Sequence, residues 1–114
     1  MLIERRDRMT KRKTVELLDH TPVAPFPDNS LAEKFTTRKN ITIRLDYPLD
    51  KPYDFKFSSK NGFSVGRVIS LIQRAYANVY QHPDKYGVWG HDIGDLVIET
   101  ITDMGTHIDV GIGS

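Results

Sequence analysis

The 114-residue sequence contains no cysteine. Without that residue there is no disulfide framework, no thiolate nucleophile and no zinc ribbon. Long hydrophobic runs are missing too: nothing approaches the roughly 18 uninterrupted apolar residues of a membrane helix, and the start MLIERRDR has no apolar segment after its charges. The expectation is a soluble, intracellular chain, cytoplasmic or nuclear, with no membrane partner. A phosphate-cradling loop is lacking, because Gly62-Phe-Ser-Val-Gly66 has neither the lysine nor the spacing of a Walker loop. The G-x-S-x-G turn of serine hydrolases is absent as well. Nucleotide hydrolysis and acyl transfer are therefore unsupported, and no cofactor is expected.

Charge is present in both signs, at 27% of residues against 39% hydrophobic, the balance of an ordinary globular chain. Its distribution is uneven. Arg5, Arg6, Arg8, Lys11, Arg12 and Lys13 stand against Glu4 and Asp7, a local balance of +4 within a chain of net +1, which leaves −3 for the rest. A basic arm on a mildly acidic body suits nucleic acid or an acidic protein surface. Residues 1 to about 39 read as this arm plus a linker, with its first 13 residues mobile. One turn of helix is expected from Thr14 to Asp19. Three prolines between Pro22 and Pro27 favour an extended connector, and Ser30-Leu-Ala-Glu33 reads as a capping box opening a short N-terminal helix to about Phe35.

The pattern strengthens in residues 40–114, the expected folded domain. Ile41, Ile43, Leu45 and Tyr47 alternate with polar residues, and so do Tyr53, Phe55 and Phe57, across the proline-bounded turn Pro48–Pro52. Period two with a turn between is a hairpin. Ser64 is placed to cap a helix from Val65 to about Gln81, where Val65, Val68, Ile69, Ile72, Ala75, Tyr76, Val79 and Tyr80 recur at spacings of three and four. Pro83 stops it. Two more apolar segments, Leu96–Thr102 and His107–Ile112, form the last hairpin. The expected fold is thus α+β, in the order strand, strand, helix, strand, strand. It is a mainly antiparallel four-stranded sheet with the long helix on one face.

Gly62-Phe-Ser-Val-Gly-Arg-Val-Ile-Ser-Leu-Ile-Gln-Arg-Ala-Tyr76, followed by Gly94-Asp-Leu-Val-Ile-Glu99 and a closing apolar strand, resembles the layout of fungal domains of unknown function. In those domains a helix start of the V-T-V-x-D-V-L type precedes similar strands. Arg67 stands where that pattern has an acidic residue. The resemblance covers about residues 41 to 113 and implies the element order, with no activity, cofactor or site residue.

Three sets of side chains are candidates for function. In the loop from His82 to Asp95, His82, Asp84, His91 and Asp92 are of metal-ligating type, although their spacing fits no metal motif and Asp, Gly and Pro also serve any long turn. Trp89, the sole tryptophan, is either a partner anchor or a pin for its own loop. In the last hairpin, Asp103-Met-Gly105 fits a three-residue turn pairing Thr102 with Thr106, with Gly105 at positive φ. Leu96, Ile98 and Thr100 then face the core with Ile108, Val110 and Ile112, while Val97, Glu99 and Ile101 share the far face with His107, Asp109 and Gly111. Glu99 would oppose Asp109, which calls for His107 or a partner's cation nearby. A two-residue Met104-Gly105 turn would remove that pairing. The far face at Val97 and Ile101 is expected to be covered by a second copy, or else by Phe26, Leu31 and Phe35 folding back.

The favoured function is a noncatalytic protein-interaction module, self-associating through its sheet. Two alternatives stand beside it: nucleic-acid binding by the basic arm, and a metal-dependent or acid–base enzyme built on the 82–95 loop and the last hairpin.

Overall fold

Alternation and turn chemistry build the sheet from its C-terminal half outward. The computed structural model describes residues 2–6, 13–23 and 32–114, with residues 2–6 and 18–20 described by backbone alone. Its strands are β1 (Leu2–Arg6), β2 (Lys13–Pro22), β3 (Lys34–Thr36), β4 (Asn40–Leu45), β5 (Tyr53–Ser58), β6 (Phe63–Ser64), β7 (Val97–Asp103) and β8 (Ile108–Gly113). Helix α1 (Val65–Gln81) follows β6, and the short α2 (Pro83–Tyr86) and a 3-10 turn (Ile93–Asp95) follow α1. The main sheet has six strands in the order β1-β2-β7-β8-β4-β5, and β3 pairs with β6 apart from it.

The mixed α+β class and the single long helix agree with the sequence, and four of the five pairings in the main sheet are antiparallel, only β4 and β8 running parallel. The strand count does not agree. Residues 2–6 and 13–22, expected as mobile arm, one turn of helix and linker, supply two further strands. Val15 and Leu17 point into the core at 1% and 5% exposure while Thr14 and Glu16 are half-buried between them, so period two does exist there. It is short, and a register shift between Glu16 and Thr21 interrupts it. The sheet thereby crosses the boundary set at residue 39. The N-terminal helix is also replaced: Lys34–Thr36 is strand β3, and Ser30 lies outside the described residues.

Helix α1 has the bounds that its pattern predicts. The Ser64 hydroxyl accepts from the Arg67 amide at 3.1 Å, closing one free donor of the first turn. Val68, Ile69, Ile72, Tyr76 and Val79 are fully buried and pack in one core with Ile43, Leu45, Ile98, Ile101 and Ile108 of the sheet. Two buried polar groups on the helix are satisfied by backbone: Gln73 Nε2 donates to the Pro22 carbonyl at 3.1 Å and the Tyr76 hydroxyl to the Tyr47 carbonyl at 2.6 Å. Burial keeps the Tyr76 phenol far above its ordinary pKa, helped by Tyr80 and Asp46, so it stays a donor.

The last hairpin departs from its expected register twice. Met104 donates its N–H to the His107 carbonyl at 2.9 Å, so the turn centres on Gly105 and Thr106, with Gly105 at φ +89° as expected of it. A β-bulge then falls between Ile98 and Thr100. One extra residue reverses which side chains face inward. Ile98 and Ile101, three apart, therefore both lie in the core at 0% exposure, while Val97 is half-buried and stands outside it. This corrects the apolar far face: Ile101 is unavailable to any partner. Strand β8 is likewise no sheet edge, because β4 pairs beside it. Of the segments proposed to fold back, Phe35 is buried at 3% exposure, and Phe26 and Leu31 lie outside the described residues.

Candidate interaction surface

With α1 on one face, the opposite face of the sheet shows what the bulged register presents. One rung crosses five strands: Thr14 of β2, Thr102 of β7, Asp109 of β8, Arg44 of β4 and Asp54 of β5. The Thr14 and Thr102 hydroxyls lie 3.0 Å apart. Arg44 holds Asp54 with both ends of its guanidinium, Nε to Oδ1 at 2.7 Å and Nη2 to Oδ2 at 3.2 Å. Such a fork fits a carboxylate geometrically as well as electrically. The hydrogen bond from Arg44 lowers the Asp54 pKa; partial burial opposes this, and the charges of Arg44, His107 and Lys56 add to it. The same bond raises that of Arg44. Because the folded-state value of Asp54 is depressed, this pair contributes stability above the ordinary aspartate range and loses it as pH falls through the lowered value.

Asp109 sits on this rung, and His107, two residues before it and opposite Met104, reaches it from beside the rung. His107 Nε2 is 3.0 Å from Asp109 Oδ1 and 3.4 Å from Arg44 Nη1, and its Nδ1 is 2.9 Å from the Thr106 hydroxyl. Glu99 does not oppose Asp109. It is the bulged residue, exposed, with its carboxylate over Gly113. His107, named as a neighbour for Asp109, is the side chain that reaches it, and Arg44 of the same chain stands opposite Asp109 on β4.

The 82–95 loop forms a second surface. Helix α2 and the 3-10 turn order it, the latter through a capping box between Asp92 and Asp95. Tyr86 is buried, and the Asp50 amide donates to its carbonyl. The Trp89 amide bonds the Pro48 carbonyl at 3.1 Å, and the Tyr80 hydroxyl donates to the His91 carbonyl at 2.9 Å. These contacts pin the loop through backbone, which leaves the Trp89 side chain 54% exposed. Its ring meets Tyr47 edge-on, centroids 5.6 Å apart, and lies 5.7 Å from the His91 ring, while the Tyr47 hydroxyl bonds His91 Nε2. Asp46 adjoins Tyr47 and Asp92 adjoins His91; after burial, Asp92 and then Asp95 are what raise the Tyr80 pKa. The result is an aromatic corner with an acidic rim.

The metal-ligand candidates do not converge: His82 and Asp84 are exposed at the start of α2, and His91 belongs to the aromatic corner. Among the described residues no three histidine or acidic side chains come together to hold an ion. Chelation is expected to leave the thermal midpoint unchanged; a lowered midpoint, with stoichiometric metal found by elemental analysis, would contradict this. Of the basic arm, Arg5 and Arg6 have their backbone in β1 and Arg8, Lys11 and Arg12 lie outside the described residues. Lys13 is tied to the body, its Nζ donating to the Lys34 and Phe35 carbonyls at 3.1 and 3.0 Å.

Comparison with protein-family models, curated proteins and solved structures finds no match.

Function is therefore read from geometry. Tyr47 was legible only as a strand residue, since its role at the corner depends on a loop more than forty residues away, which brings His91 to it. No helix among the described residues is long and apolar enough to cross a membrane.

Proposed function

We propose that this chain is a noncatalytic protein-interaction module that docks a basic segment of a partner protein at the Trp89 corner. The observation that carries the reading is the exposure of Trp89, the one large apolar side chain exposed among the described residues, against Tyr47 and His91. An exposed tryptophan held by neighbouring rings has little side-chain freedom left to lose on binding, which favours it as an anchor. Its ring face attracts a lysine or arginine head group, and Asp46, Asp92 and Asp95 supply long-range attraction of the same sign. The noncatalytic part of the reading is supported by the open face, where Arg44 is engaged by Asp54 and His107 by Asp109.

Calorimetric titration with a lysine- and arginine-rich peptide tests it. Trp89→Ala is expected to weaken binding by about tenfold or more, as for a central anchor. Asp92→Asn with Asp95→Asn is expected to flatten the dependence on salt. Equal affinity of Trp89→Ala and the parent chain would remove the corner from function.

A further inference from the structure

The sheet ends at β5, and its outer edge has no strand beside it among the described residues. An unpaired edge presents a row of hydrogen-bonding groups to any second strand. Which residues present them follows from the inner ladder. The Ser59 amide donates to the Lys39 carbonyl at 2.7 Å, so this opposed pair is a hydrogen-bonded one. In an antiparallel ladder such pairs alternate. Ile41 with Phe57, Ile43 with Phe55 and Leu45 with Tyr53 are then the bonded pairs within the sheet. Asp54 and Lys56 between them turn their N–H and C=O groups outward.

The strand reads Tyr53-Asp-Phe-Lys-Phe57. Read in reverse it keeps its aromatic positions and exchanges its charges. We propose that a second copy of this chain pairs with β5 antiparallel about a twofold axis at Phe55, joining two six-stranded sheets into one. This inference is independent of the Trp89 reading.

In that register Asp54 opposes Lys56 of the second copy, and Lys56 opposes its Asp54. These are the two pairs whose backbone groups face outward, so each exchanges two hydrogen bonds and the junction gains four. Phe55 meets its own symmetry mate as a non-bonded pair, with Cα atoms about 4.5 Å apart, where side chains approach most closely. Tyr53 opposes Phe57 on the same face. All three aromatic residues are half-buried in the single chain, so each has surface left to cover. The polar face fits as well. Its rung carries Asp109, Arg44 and Asp54 in alternating sign, and Lys56 of the second copy continues that alternation. A one-residue slip of the junction would place the aromatic row against the charged row, so the register is fixed by pattern. Pro52, lacking an N–H, limits the new ladder at the start of the strand. The arrangement is isologous and closed, as a twofold dimer requires.

Charge exchange tests this directly. The parent chain is expected to sediment as a dimer at about 100 μM. Lys56→Asp places four carboxylates along the junction, and Asp54→Lys places four ammonium groups there. Each variant alone is expected to dimerise about tenfold more weakly or worse. Mixed in equal amounts, the two variants regain Asp-to-Lys opposition at both positions, and a heterodimer is expected. Circular dichroism reports whether each variant keeps its fold. Should Asp54→Lys fail to fold through loss of the Arg44 pair, Phe55→Cys supplies a second test. It is the only cysteine in that variant and lies at the axis, within disulfide range of its mate, so mild oxidation is expected to yield a covalent dimer, whereas Ser58→Cys is not. A monomeric parent chain, a dimer insensitive to Lys56→Asp, folded variants that do not pair on mixing, or equal crosslinking at both cysteines would each overturn the proposal.

Discussion

Ile101→Asp is expected to abolish the cooperative thermal transition, and Val97→Asp to leave it within about 1 kcal/mol of the parent. The two residues are four apart on one strand, and in an unbroken strand they would share a face. The bulge at Glu99 separates them. Ile101 is fully buried, with Val15 and Val110 at its flanks. A carboxylate there has no partner among these apolar neighbours and either stays charged without solvent or takes up a proton, at a cost of several kcal/mol. Against the roughly 5 to 15 kcal/mol that holds an ordinary domain together, this is decisive. Circular dichroism melts of the two variants check the register. Equal, small effects would mean that both side chains point to solvent.

The second large effect is expected at Gly62, which lies at φ +78° between β5 and β6. A side chain there meets two penalties. Positive φ costs an L-residue about 1 kcal/mol, and a Cβ at this position would press on the Thr36 carbonyl oxygen and approach Thr37 Cα to 2.9 Å. Both neighbours are backbone, so neither can rotate away, and the total for Gly62→Ala is about 2 to 4 kcal/mol. Gly105→Ala separates the two terms. Gly105 also has positive φ, at +89°, but nothing lies within 4 Å of its would-be Cβ, so only the conformational cost of about 1 kcal/mol is expected. Denaturant unfolding of both variants gives the difference. Equal losses would mean that the β3 chain does not pass behind Gly62.

What the sequence reveals divides along physical lines. Helix α1 is legible because its signals are local: a capping serine at 64, a stripe at spacings of three and four, and a proline at 83. The β4–β5 hairpin is legible for the same reason, its two alternating strands lying on either side of prolines 48 and 52. The last hairpin is half legible. Its strands are evident, yet the bulge at Glu99 leaves no mark, because Glu-Thr carries no turn chemistry and the extra residue is defined only against the partner strand. The parallel pairing of β4 with β8 joins residues more than sixty apart and has no local signature at all. β2 was hidden by brevity: Thr14 to Leu17 alternates for four residues before the register shifts. Of the site, Trp89 stands out as the single tryptophan, while its companions Tyr47 and His91 join it only through the fold.

Because Trp89 is the only tryptophan, its fluorescence reports on the aromatic corner alone. Titrating the full chain with a lysine- and arginine-rich peptide is expected to change the emission saturably, with an apparent affinity that falls as salt screens the acidic rim. A glutamate-rich peptide of equal length is expected to leave the emission as it was. Equal responses to both peptides, or no response to the basic one up to millimolar concentration, would contradict docking of a basic partner at Trp89.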